Sequence, residues 1–155
     1  MKKKIFVRAP CLSQSGYGEQ SRFALRALRS REDLFDIYIQ PVPWGQTGWI
    51  WEQSEFRDWM DVKIAQTQVL AQQNQLHPDI SLQITIPNEF QKIAPVNIGY
   101  TAGIECNLVS PQWLPKGNEM DKILVVSNHA KSSYETTKAN AKNNQTGEVV
   151  PYQLT

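Results

Sequence analysis

Two glycines separated by a single residue, set among serines, are the residues best placed to do chemistry. The stretch Ser13-Gln14-Ser15-Gly16-Tyr17-Gly18-Glu19-Gln20-Ser21-Arg22 follows a short apolar run, Ile5-Phe6-Val7. It leads into Phe23-Ala24-Leu25-Arg26-Ala27-Leu28, which reads as a helix. A strand, a glycine-bearing loop and a helix start are the parts of an anion cradle. Glycine lets a ligand come close to the backbone, and the unpaired N–H groups of a first helical turn point toward negative charge. Ser15, Gly16, Tyr17 and Gly18 are therefore candidates for contacting a phosphate or a sugar hydroxyl. The loop is not a Walker loop, because no Gly-Lys-Ser/Thr follows. It also departs from the dinucleotide fingerprint, with Ser21 where the third glycine would stand. The next strand ends in Gln40-Pro41 and not in an acid placed for a ribose, which argues against a dinucleotide oxidoreductase.

Glu105 is the acid of most interest. It lies past a strand end, where a carboxylate can bond sugar hydroxyls or act as a base. A cap, or an ion pair with Lys131 or Arg22, accounts for it equally well. His129 stands at a helix start, where a histidine is ordinarily exposed, and His77 precedes Pro78 in a loop. No Ser/His/Asp arrangement and no metal-ligand cluster is visible, so neither metal nor cofactor is expected. Cys11 and Cys106 make no disulfide framework; both follow strands, could lie near each other at one sheet edge, and are expected as free thiols.

The elements that must position these residues follow from periodicity. Strands are expected over 4–9, 35–39, 80–86, 96–101 and 123–126, and a further short one near 148–151. Strict alternation in Ile80-Ser81-Leu82-Gln83-Ile84-Thr85-Ile86 predicts one better-buried face. The continuous apolar run Ile123-Leu124-Val125-Val126 predicts a strand buried on both faces. Gly99 inside its strand predicts the close approach of another element. Helices are expected over 17–29 behind a Ser15 cap, over 53–75, and over 129–141 behind Ser127-Asn128. In the first, Phe23, Ala24, Ala27 and Leu28 share a face. In the second, Phe56, Met60, Ile64 and Ala71 do, with Trp59, Thr67 and Leu70 beside them. Residues 110–118 hold at most a short helical turn, and 142–146 read as polar and mobile. The stretch Pro41-Val42-Pro43-Trp44-Gly45-Gln46-Thr47-Gly48-Trp49-Ile50-Trp51 has no period. It is either a loop folded back on its own domain by its tryptophans or a stacking surface for a sugar or a partner domain.

Near alternation of strand and helix predicts a single α/β domain, a doubly wound, mostly parallel sheet with helices on both faces. Ligands of such sheets bind beyond the carboxyl ends of the strands. Four polar segments belong there: Ser15, Gly16, Tyr17 and Gly18; Asn88 and Glu89; residues 101–107, with Thr101, Glu105 and Asn107; and Ser127 with Asn128. The chain has 155 residues, 41% hydrophobic and 20% charged, with a net charge of +1. That is enough for one domain with a core, and it holds no basic field for nucleic acid. No apolar run is long enough to span a bilayer, and no signal peptide is visible, so the expected compartment is the cytoplasm.

The segments Asn97-Ile98-Gly99-Tyr100-Thr101-Ala102-Gly103-Ile104-Glu105, Trp113, Asn118, Met120-Asp121 and Val125-Val126-Ser127-Asn128-His129-Ala130-Lys131, taken in order, resemble the N-terminal domain of GT-B glycosyltransferases, family 4-like enzymes above all. The Ser-Gly-Tyr-Gly loop with Arg22 is similar to that family's first loop, and Val149-Val150-Pro151 to the strand before its crossing into a second domain. The resemblance implies a Rossmann-like domain, spanning residues 1–155, of an enzyme that moves a sugar from a nucleotide-sugar donor to a hydroxyl acceptor. It implies that Ser15, Gly16, Tyr17 and Gly18 meet the donor phosphates across a cleft. It implies that Asn88, Glu89, Thr101, Glu105, Asn107, Trp113, Ser127 and Asn128 line the acceptor side, with Glu105 the catalytic candidate. The donor would sit mainly on a second Rossmann-like domain or partner chain, so this half alone is expected to transfer little sugar. Two departures stand out: Thr101 and Glu105 occupy the region where many relatives carry a histidine, and the paired acidic motif of the second domain is missing. The alternative is a non-catalytic carbohydrate- or nucleotide-binding module of the same fold.

Overall fold

Alternation of apolar strands with capped helices produces one parallel sheet. The structure is a computed structural model and describes residues 2–102, 106–142 and 145–155. Strands β1 (Lys3–Ala9), β2 (Phe35–Pro41), β3 (Ile80–Ile84), β4 (Val96–Thr101) and β5 (Lys122–Val125) lie in the order β2-β1-β3-β4-β5. Every neighbouring pair is parallel. The chain is thus an α/β protein with a Rossmann-like, doubly wound sheet. All five carboxyl ends lie on one rim, and the winding reverses between β1 and β3, the topological switch point at which such sheets bind ligands.

Helices α1 (Gly16–Arg29) and α2 (Glu55–Gln72) cover the face that carries Ile5, Val7, Ala9, Ile37, Ile39, Leu82 and Ile84. Ser15 caps α1 by accepting from the Gly18 amide at 3.0 Å, and Ser54 caps α2 by accepting from the Arg57 amide at 3.1 Å. The buried side of α1 is Gly18, Ser21, Arg22 and Leu25, with Ala24 and Leu28 partly covered. Phe23 is 63% exposed, which corrects its expected place on the core face. Met60, Ile64 and Thr67 are the buried stripe of α2, with Phe56 and Trp59 beside them; Ala71 is exposed. Thr67 Oγ1 accepts from the Ile39 amide at 2.8 Å, which closes part of the β2 edge. Asn74, in the left-handed region at φ 54°, turns the chain out of α2 before His77 and Pro78 are reached.

The opposite face is more polar than alternation suggested. Ser81, Leu82, Gln83 and Ile84 are all buried, so the two faces of β3 are covered alike, where alternation predicted one better-buried face. Its polar residues are satisfied. Asn97 Oδ1 accepts from Ser81 Oγ (2.8 Å) and from the amides of Ile93 (2.8 Å) and Ala94 (3.0 Å). Gln83 exchanges hydrogen bonds with the backbone of Gln91. This network straps down the segment that follows the 3-10 turn Pro87–Glu89, and Phe90 lies directly over Gly99.

The third segment of chain departs most from expectation. β5 is an edge strand with Leu124 40% exposed, not a strand buried on both faces. Residues 113–118 form a six-residue helix, α3 (Trp113–Asn118). The helix expected over 129–141 ends early: α4 spans Asn128–Thr136, and β6 (Lys138–Lys142) pairs antiparallel with β7 (Val149–Gln153). The expected last strand therefore lies in a separate hairpin and not in the main sheet. Val109, Leu114 and Tyr134 form a second small core under Trp113, Val125, Ala139, Tyr152 and Leu154. No helix of the described residues is long and apolar enough to cross a membrane.

Candidate functional site

The loop after β1 is shaped by an arginine. Arg22 is only 7% exposed, and its guanidinium donates to the carbonyls of Cys11 (3.0 Å) and Ser13 (2.9 Å) and to Glu19. Its donors are therefore spent on holding the loop. A Cβ on Gly18 would overlap the Ser13 carbonyl oxygen and stand 3.1 Å from Arg22 Nη1, whereas a Cβ on Gly16 would meet nothing within 4 Å. The two glycines thus differ in kind: Gly18 admits the protein's own backbone, and Gly16 borders open space.

Tyr17 joins this loop to a distant strand. Its hydroxyl lies 2.9 Å from Thr101 Oγ1 and accepts from the Ala102 amide at 3.1 Å. The first turn of α1 therefore rests against the carboxyl end of β4, reaching past β3. Tyr134 of α4 approaches the same point. Its hydroxyl is buried and has no hydrogen-bond partner among the described residues. Burial raises its pKa above the ordinary phenol value; the nearby Thr101 hydroxyl offsets part of that rise, and Tyr17 adds a little to it. Thr101 and Tyr134 are neighbours without a hydrogen bond of good geometry.

The tryptophan-bearing segment folds back onto the same loop. The Gln14 amide donates to the Gly48 carbonyl and the Ile50 amide to the Leu12 carbonyl, while Ser13 and Trp49 form an antiparallel bridge. Ser13 Oγ lies 2.7 Å from Thr47 Oγ1 and donates to the capping Ser15 hydroxyl at 2.8 Å. Trp44 packs on Tyr17 with ring centroids 4.4 Å apart. Trp49 and Trp51 do not pack inward; they are 63% and 95% exposed.

The remaining predicted residues share the rim without closing on one point. Asn88 is exposed and Glu89 partly buried on the 3-10 turn after β3, where Arg8 donates to the Glu89 carbonyl at 3.3 Å. Asn107 is exposed. Ser127 is exposed and caps α4, accepting from the Ala130 amide at 3.1 Å; Asn128 opens that helix. Three strand spacings separate β1 from β5, roughly 14 Å, so these two residues stand at the far end of the rim from Gly16. Trp113 faces Tyr134 at 6.4 Å between ring centroids and belongs to the second core. Glu105, the catalytic candidate, lies outside the described residues. A cleft of about 310 Å³ between β5, α4 and Leu154 contains no residue of the glycine loop.

Cys11 is buried and Cys106 exposed, and neither is in a disulfide. They follow β1 and β4, whose carboxyl ends lie on one rim with β3 between them. Burial pushes the Cys11 thiol up to about 11, against smaller opposing effects of its backbone hydrogen bond and Arg22. Among the described residues no group of three or more His, Cys, Asp or Glu could hold a metal ion.

The fold defines a Rossmann-like α/β domain, with the glycine loop and the end of β4 joined at the switch point of its sheet. No family model, no curated protein and no solved structure matches the chain.

Proposed function

We propose that this chain handles sugars as the acceptor-side domain of a GT-B-type glycosyltransferase, in which a nucleotide-sugar donor spans a cleft to a second Rossmann-like unit. The observation that carries this reading is the pair of Tyr17 hydrogen bonds to Thr101 and Ala102. They hold the glycine loop against the end of β4, so an open helix start and a strand-end loop share one wall. On this reading the amides at Gly16 and Tyr17 meet the donor's diphosphate, the helix start stabilising the departing negative charge. The hydroxyls and amides along the rim, Asn88, Asn107 and Ser127 among them, meet the acceptor, and Glu105 is the residue assigned as base.

One observation favours a second reading, a binding module without chemistry. The guanidinium of Arg22 is occupied by carbonyls and Glu19, so the loop offers a phosphate backbone amides but no charge from that residue. The test is thermal unfolding of the full chain with UDP-glucose, GDP-mannose, UDP and GDP, each at millimolar concentration. A ligand at a hundred times its Kd stabilises by about 2.7 kcal/mol, or roughly 5–10 °C for a chain of this size. Tyr17→Phe should lose most of that shift. No shift with any of the four would refute the donor-binding reading. Coding sequence downstream of Thr155 for a second Rossmann-like domain would favour the transferase over the free-standing module.

A further inference from the structure

The geometry points to the exposed edge of the tryptophan loop as a platform for an extended, uncharged oligosaccharide. The inference deepens the sugar-handling reading of the rim and rests on it. Trp49, Ile50 and Trp51 alternate exposed, half-buried and exposed, the pattern of an extended segment that turns both indoles outward. Such side chains are about 6.6 Å apart along the chain, close to the length of one pyranose unit. Burying neither indole leaves two large apolar faces in water, an arrangement that ordinarily marks a binding surface. The backbone beneath is held rather than loose. Trp49 is bridged to Ser13, its carbonyl accepts from Gln14 Nε2 at 3.1 Å, and the Ile50 carbonyl accepts from Arg57 at 2.9 Å.

The chemistry around the indoles selects the occupant. Gln46, Thr47 and Gln53 flank the tryptophans in the chain and Gln14 bonds the Trp49 carbonyl, uncharged donors and acceptors suited to hydroxyls. Glu52 follows Trp51 in the chain, and Arg57, whose guanidinium reaches the Ile50 carbonyl, is engaged by Asp61. An anionic membrane or a nucleic-acid strand would need a basic surface that these residues do not provide. An indole is apolar on its face and polar at its edge, which suits the mixed C–H and O–H surface of a pyranose. The platform also joins the glycine loop through the contacts of Ser13 with Thr47 and Ser15. A chain of sugars lying over Trp51 and Trp49 would therefore run toward the α1 N-terminus.

The test is titration of the full chain with maltohexaose, cellohexaose, laminarihexaose and mannohexaose, without nucleotide, read by indole fluorescence and calorimetry. At least one hexasaccharide should bind, its monosaccharide much more weakly. Trp49→Ala and Trp51→Ala should each weaken binding at least tenfold with the unfolding midpoint unchanged, and the tyrosine variants should restore most of it. Absence of binding by all four, or binding that survives both alanine substitutions, overturns the platform. So does a Trp51-dependent self-association in sedimentation, or Trp51-dependent binding to zwitterionic vesicles, in place of glycan binding. Nucleotide-sugar shifts that persist while the hexasaccharides fail would sink this inference and leave the donor reading standing.

Discussion

Alanine at Gly16 and at Gly18 should give opposite results although the two positions are two residues apart on one helix. Neither glycine has a positive φ, so backbone strain plays no part. At Gly18 the added methyl would overlap the Ser13 carbonyl oxygen, which already accepts from the buried Arg22. Relief requires the loop to move away and that charge-assisted bond to lengthen. Overpacking of this kind costs about 1–3 kcal/mol, and weakening a hydrogen bond to a charged group adds up to roughly 1.5–3 kcal/mol. Alanine's better helix propensity returns at most about 1 kcal/mol. The net loss should be about 2–4 kcal/mol, a fall in midpoint of roughly 4–16 °C. At Gly16 the methyl meets nothing, and the unfolded chain loses freedom, so stability should hold or rise by about 0.4–1 kcal/mol. The same methyl would stand in the space a ligand needs to reach the Gly16 and Tyr17 amides. Nucleotide-sugar affinity should fall tenfold or more, about 1.4 kcal/mol. Urea unfolding measures the first pair of effects, and ligand-induced thermal shift measures the last. A Gly18→Ala protein as stable as the parent would refute the steric argument. A Gly16→Ala protein with undiminished ligand response would refute the assignment of that space to a ligand.

Two further outcomes follow from the packing. Gly99→Ala would drive a methyl into Cε2 and Cζ of Phe90 and should cost about 1–3 kcal/mol. In a Phe90→Leu background, where those two atoms are gone, most of that cost should vanish; additivity within about 0.5 kcal/mol in denaturant unfolding would contradict the contact. The Cys11 thiol is held protonated up to about 11, while an unfolded thiol ionises near 8.5–9. Above pH 9 the unfolded state binds fewer protons than the native state, so stability falls as pH rises, by about 2–3 kcal/mol across the window from 9 to 11. Cys11→Ala should remove the part of that slope below about pH 10, leaving the fall that the buried Tyr134 hydroxyl adds above it, and at pH 8 a thiol reagent should label Cys106 and spare Cys11 until the chain unfolds.

Much of the architecture was legible because its causes are local. Ser15 and Ser127 each cap the helix they precede, since a short hydroxyl side chain reaches back to an amide three residues on. Gly99 announced the close approach that Phe90 makes. The errors arose where tertiary context outweighed pattern. Ile123-Leu124-Val125-Val126 reads as a strand buried on both faces, yet among the described residues no strand pairs on its outer side. Ser81 and Gln83 read as the less buried face, yet Asn97 and the Gln91 backbone bury them fully by meeting their hydrogen bonds. Apolar periodicity placed Phe23 inside, but the short Arg22 link to the β1 loop turns that side of α1 inward instead.

The amino-acid order alone determined that strands and helices alternate, that the sheet is parallel, and that a glycine loop leads into a helix on its carboxyl rim. These follow from side-chain periods and caps acting over a few residues. Only the folded chain decided what that loop touches. Tyr17 and Thr101 lie 84 positions apart, Arg22 spends its charge on two carbonyls, and Trp44 turns inward while Trp49 and Trp51 stay in water. Such pairings depend on how separate elements dock. A tyrosine, an arginine or a tryptophan carries no local mark of the partner that packing will bring to it.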